Sequence, residues 1–265
     1  MTRFVFFQAH PDDLEVNCAH LLHYLAAHSE KHDVRIVSVT KGEFGLPGAR
    51  YDRYKGDFLA GIRTKELFNA AALHGIQPSS IDFLGYVDGF VEFNERFVNH
   101  IVRYLQDHRP DVIIAPEALH TWYYHMDHVN TGRAVFYALY HHLVDFSPRL
   151  YFYTSLNPNS FLKVPKEQVG LTDQLIACHK TQWWLMKWMR YIVKPMEMVS
   201  GLTARGWRYA EPYRRVFYAK HSREKNRAGL LVRVFTHFFS GLPYFQAKYP
   251  QDILEKMRRE KAVSE

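Results

Sequence analysis

Short apolar runs alternate with amphipathic stretches over the first 154 residues of the chain. Residues 3–9, 34–40 and 112–115 have the length and apolar character of buried strands. Residues 14–27 and 126–143 instead repeat apolar side chains at the spacing of one helix face. Because strands that alternate with helices usually lie parallel in one sheet, the pattern predicts an α/β fold. We expect a Rossmann-like three-layer α/β/α sandwich with a mostly parallel sheet.

After about residue 172 the chain becomes rich in aromatic and basic residues. Residues 175–190 predict one long helix that carries Trp183, Trp184 and Trp188, and residues 228–239 predict a second, amphipathic helix. We expect a catalytic domain over residues 1–218 and a basic, amphipathic, helical C-terminal appendage over residues 219–265. Large aromatics mixed with cations are typical of interfacial helices, so peripheral membrane binding is one hypothesis for this region. Core completion or a homo-oligomer interface is the alternative.

The composition argues against a disulfide-rich, a membrane-spanning and a nucleic-acid-binding protein. A hydrophobic content of 47% is ample for a packed core, and two cysteines are too few for a disulfide framework. We expect no signal peptide and no spanning helix, and therefore a cytoplasmic protein with the cytoplasmic membrane face as its peripheral location. The net charge of +7 is concentrated after residue 180. Since neither zinc-finger spacing nor an RNA-recognition signature is visible, we expect no nucleic-acid partner.

Polar side chains end the first predicted strand. His10, Asp12 and Asp13 follow the apolar run directly, where the carboxyl end of a parallel strand faces the ligand-binding crevice. Two adjacent carboxylates repel each other, and their desolvation is costly unless a cation or a substrate compensates. A divalent metal would compensate. The alternative is a helix N-cap in which an aspartate accepts the free N–H groups of the next helix.

A second polar segment follows another predicted strand. His125 and His128 lie three residues apart at a predicted helix start, so both rings can point into one crevice. Because both segments follow parallel strands, we expect them to share one rim of the sheet. His10, Asp13 and His128 then form a three-ligand site with open positions, as a hydrolytic zinc needs. The alternative is a chance His-x-x-His pair, since the chain has 16 histidines.

These segments resemble the motifs of the PIG-L/LmbE-like metal-dependent N-deacetylases. His10-Pro11-Asp12-Asp13 is similar to the first motif of that family, and His125-Met126-Asp127-His128 is similar to the second. The resemblance covers residues 3–140 well and extends weakly to Ala210-Glu211. The chain departs from the family at Leu14, where glutamate is usual, and Glu15 comes next.

The resemblance implies a role for each matching residue. His10, Asp13 and His128 would bind the metal, which is Zn²⁺ with Fe²⁺ as the alternative. Asp12 would be the general base for metal-bound water, the nucleophile that attacks the acetamide carbonyl of an N-acetylated amino sugar. A protonated His125 would stabilise the oxyanion, and Asp127 would hold that ring in its cationic form. The implied substrate is an N-acetylglucosamine-containing glycoconjugate, with lipid and thiol aglycones as candidates.

Four residues are candidates for substrate binding. Tyr123 and Tyr124 precede His125 and could donate a hydrogen bond to the carbonyl, or simply pack under a loop. Arg63 could meet a sugar hydroxyl or a phosphate, or pair with Glu66. For Glu43 we expect a substrate-facing side chain.

Two other function classes compete with the hydrolase. Two histidines and one carboxylate also serve non-haem iron oxygenases, although the strand–helix alternation argues against that class. A catalytically silent sugar- or lipid-binding module with a structural metal is the third interpretation.

Overall fold

The computed structural model describes residues 1–121, 125–219 and 226–240. Seven strands form one sheet with the order β3-β2-β1-β4-β5-β7-β6. The strands are β1 (Thr2–Gln8), β2 (His32–Thr40), β3 (Ile81–Tyr86), β4 (Val112–Pro116), β5 (Arg149–Tyr153), β6 (Ser160–Lys163) and β7 (Ala210–Val216). Strands β1 to β5 pair in parallel, whereas β7 pairs antiparallel with both β5 and β6. The predicted fold class, a mostly parallel α/β sheet, is confirmed.

Helices cover both faces of the sheet. They are α1 (Asp13–Asn17), α2 (Ala19–Ala27), α3 (Asp57–His74), α4 (Glu95–His108), α5 (Met126–Tyr140), α6 (Leu171–Ile176), α7 (Trp183–Arg205) and α8 (Leu230–Ser240). Successive strand residues point to opposite faces, so Phe7 packs towards α4 and α5 while Phe6 packs towards α2 and α3. This alternation produces the two apolar layers of the sandwich.

The chain adds β2 and β3 on one side of β1 and continues with β4 on the other side, so the strand order reverses between β1 and β4. In open α/β sheets, ligands bind beyond the carboxyl ends of the strands at such a switch point. The segment that begins at His10 leaves β1, and the segment that leads to His125 leaves β4. The fold therefore brings both polar segments to this position.

Close packing fixes helix α5 against β4. A Cβ atom added at Gly132 would lie 2.2 Å from the carbonyl oxygen of Pro116, the last residue of β4. Only glycine allows the helix backbone to approach the strand this closely.

Two predicted helices differ from the structure. The helix expected over 14–27 is divided at Cys18 into α1 and α2. The helix expected over 175–190 is replaced by the end of α6, a 3₁₀ turn (Lys180–Gln182) and the start of α7. The turn brings His179 to Glu15 and Thr181 to Glu66, contacts that a continuous helix could not make together.

In the C-terminal region, α8 lies within the predicted helical appendage over residues 219–265, whereas α7 lies before it. The boundary between residues 218 and 219 stays a prediction, and most of the predicted appendage lies outside the described residues. The described helices include none that combines the length and apolar character needed to cross a membrane.

Candidate metal centre

Three potential ligands converge at the switch point. His10 Nδ1 lies 3.2 Å from His128 Nε2, and Asp13 Oδ1 lies 3.4 Å from His128 Nε2 and 4.0 Å from His10 Nδ1. Tetrahedral zinc ligands at their usual bond lengths are about 3.4 Å apart, so the three donors fit one zinc-sized cation. His125 also joins His10 and His128 in a group close enough to share a metal.

Backbone hydrogen bonds hold the carboxylate of Asp13 in place. Its Oδ2 atom accepts from the N–H groups of Ala9 and His10 at 2.9 and 3.0 Å, which leaves Oδ1 turned towards the histidines. Burial raises the pKa of Asp13 to about 6, although the nearby His10 opposes this effect. A bound cation would favour the ionised form.

Two further carboxylates orient His10. Its Nε2 atom lies 3.0 Å from Asp88 Oδ1 and 3.1 Å from Asp127 Oδ2, so this nitrogen carries a proton and leaves Nδ1 for a metal. Burial lowers the pKa of His10, but the two carboxylates outweigh burial and hold that pKa well above its usual range. Asp88 was not among the predicted site residues. The available signal was its position just after a third parallel strand, at the same rim.

The predicted pairing of Asp127 with the His125 ring differs from the structure. The Asp127 carboxylate instead accepts from the N–H groups of Gly89 and Val91, at 2.6 and 3.1 Å, and contacts His10. His125 is the N-cap of α5, and its Nδ1 accepts from the Asp127 backbone N–H at 3.2 Å. A helix start leaves N–H groups without intrahelical partners, which explains this use of the ring.

This geometry also argues against the expected cationic form of His125. A ring nitrogen that accepts a hydrogen bond cannot carry a proton, so the proton of the neutral ring is on Nε2. Burial lowers the pKa of His125 well below its usual range, and His10 and His128 lower it further. The structure therefore favours a neutral ring with an Nε2–H donor.

Asp12 occupies a strained position beside the three donors. Its φ angle of 128° is rare for a residue other than glycine, and such outliers cluster at functional sites. Asp12 Oδ2 pairs with Arg63 Nη2 at 3.0 Å. Burial raises the pKa of Asp12 to about 6 despite the opposing charge of Arg63.

Arg63 lies under the site rather than at its open rim. Its Nη1 atom donates to the carbonyl of Gly42 and its Nη2 atom to the carbonyl of Pro11, and its side chain is buried. The alternative pairing with Glu66 is wrong, because Glu66 instead accepts from Thr181.

The other predicted substrate-binding residues are only partly described. Glu43 is buried beside the site, where its carboxylate accepts from the backbone N–H of Lys41. Tyr123 and Tyr124 lie outside the described residues.

The departure from the family at Leu14 and Glu15 has a structural explanation. Leu14 is fully buried in the apolar layer beneath α1. Glu15 Oε2 lies 3.5 Å from His179 Nε2, and both residues are buried. Although burial opposes it, the charge of Glu15 raises the pKa of His179, and Asp12 adds to this effect. Glu15 therefore belongs to a buried ion pair with His179, next to Asp12.

Two more buried ion pairs connect distant parts of the chain. Glu117, which follows β4, accepts two hydrogen bonds of 2.6 Å from Arg214 of β7. Glu211 accepts from the backbone N–H groups of His20 and Leu21 at the start of α2. His20 also pairs with Glu197 of α7 at 3.2 Å. These contacts attach β7 and α7 to the parallel part of the sheet.

Solved structures share this fold. An N,N'-diacetylchitobiose deacetylase from Pyrococcus horikoshii is 21% identical with a TM-score of 0.72, and the match covers 81% of this chain and 84% of that one. A 4-carboxy-2-hydroxymuconate hydratase from Pseudomonas putida is 17% identical (TM-score 0.62; coverage 82% and 97%). A zinc-inhibited form of teicoplanin deacetylase is 14% identical (TM-score 0.60; coverage 81% and 99%). Identities this low establish a common fold and leave the reaction open.

Family membership comes from the sequence itself. Among curated proteins, no significant match exists. Residues 5–139, about half of the chain, match the PIG-L family, described as GlcNAc-PI de-N-acetylase. This range contains both polar segments of the site, and the chain therefore belongs to the PIG-L family.

Proposed function

We propose that the protein is a zinc-dependent hydrolase that removes the N-acetyl group from an N-acetylglucosamine-containing glycoconjugate. The observation that carries the proposal is the triangle of donor atoms from His10, Asp13 and His128, with Asp12 beside it. The family description, GlcNAc-PI de-N-acetylase, and the deacetylases with the same fold support this reaction.

His10, Asp13 and His128 would hold the metal. When bound there, zinc would lower the pKa of a coordinated water to about 7 and polarise the amide carbonyl. The Nε2–H contacts of His10 with Asp88 and Asp127 keep its ligand nitrogen directed at the metal position. Ferrous iron is the alternative ion for the same donor set.

Asp12 is the proposed general base. Its pKa is about 6 in the metal-free protein, and a bound cation would favour the ionised form, so the carboxylate is ionised at neutral pH. An ionised carboxylate at this position can accept the proton of the attacking water and then donate it to the departing amine. Arg63 holds the carboxylate in a single orientation through the 3.0 Å pair.

His125 is proposed to stabilise the negative charge that develops on the carbonyl oxygen. Because its Nδ1 accepts the backbone N–H of Asp127, its ring proton is on Nε2, and we assign this Nε2–H to the carbonyl oxygen. One such donor in a protected site typically contributes about 3 kcal/mol to transition-state stabilisation. In this proposal His125 acts as a neutral hydrogen-bond donor and not as the cation that the family resemblance implied.

Substrate recognition is proposed for the residues around this centre. Glu43 belongs to the segment that follows β2, Arg63 belongs to α3, and both side chains are buried, whereas Tyr123 and Tyr124 precede His125 in the chain. For Tyr123 and Tyr124 we keep a hydrogen bond to the amide carbonyl, and for Glu43 a substrate-facing side chain. Arg63 is proposed to act by positioning Asp12, because its guanidinium already contacts Asp12 and the carbonyls of Gly42 and Pro11. Lipid and thiol aglycones are the two candidate classes for the rest of the substrate.

Acetate release provides the test. Free, thiol-linked and lipid-linked N-acetylglucosamine are incubated with zinc-loaded protein and, separately, with protein loaded with ferrous iron, with and without a chelator, in air and anaerobically. We expect chelator-sensitive acetate release that does not require oxygen. Oxygen dependence would indicate an iron oxygenase, and no acetate from any substrate would indicate a binding module.

Three variants separate metal binding from chemistry. His10→Ala and His128→Ala are expected to lose both zinc, measured by elemental analysis, and activity. Asp12→Asn is expected to keep zinc and lose turnover. Full activity of Asp12→Asn would overturn the proposed base, and full activity of the metal-free wild type would overturn the whole scheme.

A further inference from the structure

Helix α7 presents apolar side chains on two opposite sides. Its inner side, which includes Met186 and Val193, packs against the protein. Its outer side carries a row that we call the aromatic stripe, whose members are 42–60% exposed: Trp184, Trp188, Ile192 and Leu202. A soluble helix normally has polar residues on its outer side, so this stripe indicates a surface that binds something.

Helix α8 also exposes apolar side chains. Four of its apolar side chains, which we call the α8 patch, are 53–74% exposed: Leu230, Leu231, Val234 and Phe235. The residues fall at the spacing of one helix face. Aliphatic side chains this exposed indicate an apolar partner.

Charge is segregated into the same part of the chain. Residues 183–240 contain 12 Lys and Arg against 3 Asp and Glu, whereas the other 207 residues contain 22 against 24. Two of the three acidic residues, Glu197 and Glu211, are buried. Of the cations, Arg214 is buried against Glu117 and Lys194 pairs with Asp173. Glu224 lies outside the described residues. The net positive charge of the protein therefore originates in the region that carries both apolar surfaces, and it favours an anionic partner.

We propose that α7 and α8 are interfacial helices that bind the protein to an anionic lipid surface. Tryptophan is enriched at the membrane–water boundary. Lys187 Nζ lies 5.4 Å from the centre of the Trp188 ring, so a cation lies next to a tryptophan of the stripe. A second copy of this chain would bring two positive regions together. Nucleic acid supplies phosphates, but it offers no apolar phase for the aliphatic residues of the α8 patch. A bilayer with anionic headgroups supplies both.

Helix α7 is joined to the rim of the candidate metal centre. Gln182, the residue before the helix, donates from Nε2 to the carbonyl of Gly45 at 3.1 Å. Gly45 packs against Arg63, the partner of Asp12. Lipid binding by the helix would thus act next to the site, although the lipid-binding proposal itself does not depend on deacetylation.

Vesicle flotation of the full chain tests the proposal. The vesicles consist of phosphatidylcholine alone or of phosphatidylcholine with roughly one third phosphatidylglycerol. We expect the protein to float with the anionic vesicles and to be released by high salt. Trp184→Ser/Trp188→Ser and, separately, Lys187→Glu should each reduce vesicle binding about tenfold. Leu73→Ser, at a 47% exposed position of α3, is the matched control and should bind like the wild type.

Other outcomes overturn the proposal. The wild type would not float with either vesicle type, or it would float equally with both. Alternatively, Trp184→Ser/Trp188→Ser would bind vesicles like the wild type while keeping the wild-type unfolding temperature. A wild-type dimer in light scattering that becomes a monomer in the tryptophan variant would assign the stripe to a second copy. Tighter binding to a DNA or RNA oligonucleotide than to anionic vesicles would assign it to nucleic acid. Flotation needs no substrate, so its failure leaves the hydrolase proposal intact, and failed acetate release leaves the lipid-binding proposal intact.

Discussion

Replacing Asp12 by asparagine is expected to stabilise the metal-free protein while abolishing turnover. Burial raises the pKa of Asp12 from 3.8 to about 6 in the folded protein. Each pKa unit corresponds to about 1.4 kcal/mol, so keeping this carboxylate ionised in the folded state costs about 3 kcal/mol. The pKa already includes the attraction of Arg63, and asparagine reproduces the neutral form without the proton.

The sign of the pH dependence follows from the raised pKa. The folded protein binds this proton more tightly than the unfolded chain, so its contribution to stability is complete below about pH 4 and is lost as the pH rises through about 6. Asp12→Asn should therefore match the wild type near pH 4. It should exceed the wild type by up to about 3 kcal/mol at pH 7.5.

Urea unfolding in chelator, followed by circular dichroism at several pH values, measures this difference. The exposed Asp107 provides a control, because Asp107→Asn should leave the difference near zero at every pH. A variant that is no more stable than the wild type at pH 7.5, or a difference that does not change with pH, would refute the reasoning.

Three further predictions concern residues around the site. Asp88→Ala should weaken zinc binding about 10- to 100-fold, measured by competition with a chromophoric chelator, because His10 loses an orienting partner. Burial lowers the pKa of His74 to about 4, so protonation of this ring should remove about 3 kcal/mol of stability between pH 6.5 and 4, measured as the change over that range in the difference in unfolding free energy between the wild type and His74→Leu in urea. Arg214→Met should destabilise the protein by about 3–5 kcal/mol, because it leaves Glu117 buried without a counter-charge, and thermal unfolding of Glu117→Leu/Arg214→Met should recover most of this loss.

The convergence of the two polar segments could be predicted from the sequence. Each segment follows an apolar run of strand length, and parallel strands end at one rim, so the proximity of His10 and His128 needed no knowledge of distances. The partners of His10 could not be predicted. Asp88 and Asp127 contact one ring nitrogen because of the path of the loop after β3 and the first turn of α5. The course of a loop or of a single helical turn leaves no hydrophobic periodicity in the sequence, so these two contacts could not be predicted from it.

The antiparallel strands β6 and β7 also could not be predicted from the sequence, because β7 contains charged residues that are buried as ion pairs and hydrogen-bond acceptors. Strand β7 contains Glu211 and Arg214, charges that usually indicate an exposed segment. Their partners are the start of α2 and Glu117, which are 97 or more positions away in the chain. A sequence window cannot contain both members of such a pair, so the burial of β7 is visible only in three dimensions.

The close contact between Gly132 and β4 limits how far helix α5 can move without displacing the proposed metal ligand His128. Any side chain there would have to move α5 away from β4 by about 1 Å to reach an ordinary separation from the carbonyl oxygen of Pro116. The same helix carries His128, and metal–ligand distances tolerate only about 0.2 Å. A residue that never touches a reactant can therefore decide whether the cation is held. We expect evolution to vary the surrounding loops freely while this one point of backbone contact stays without a side chain.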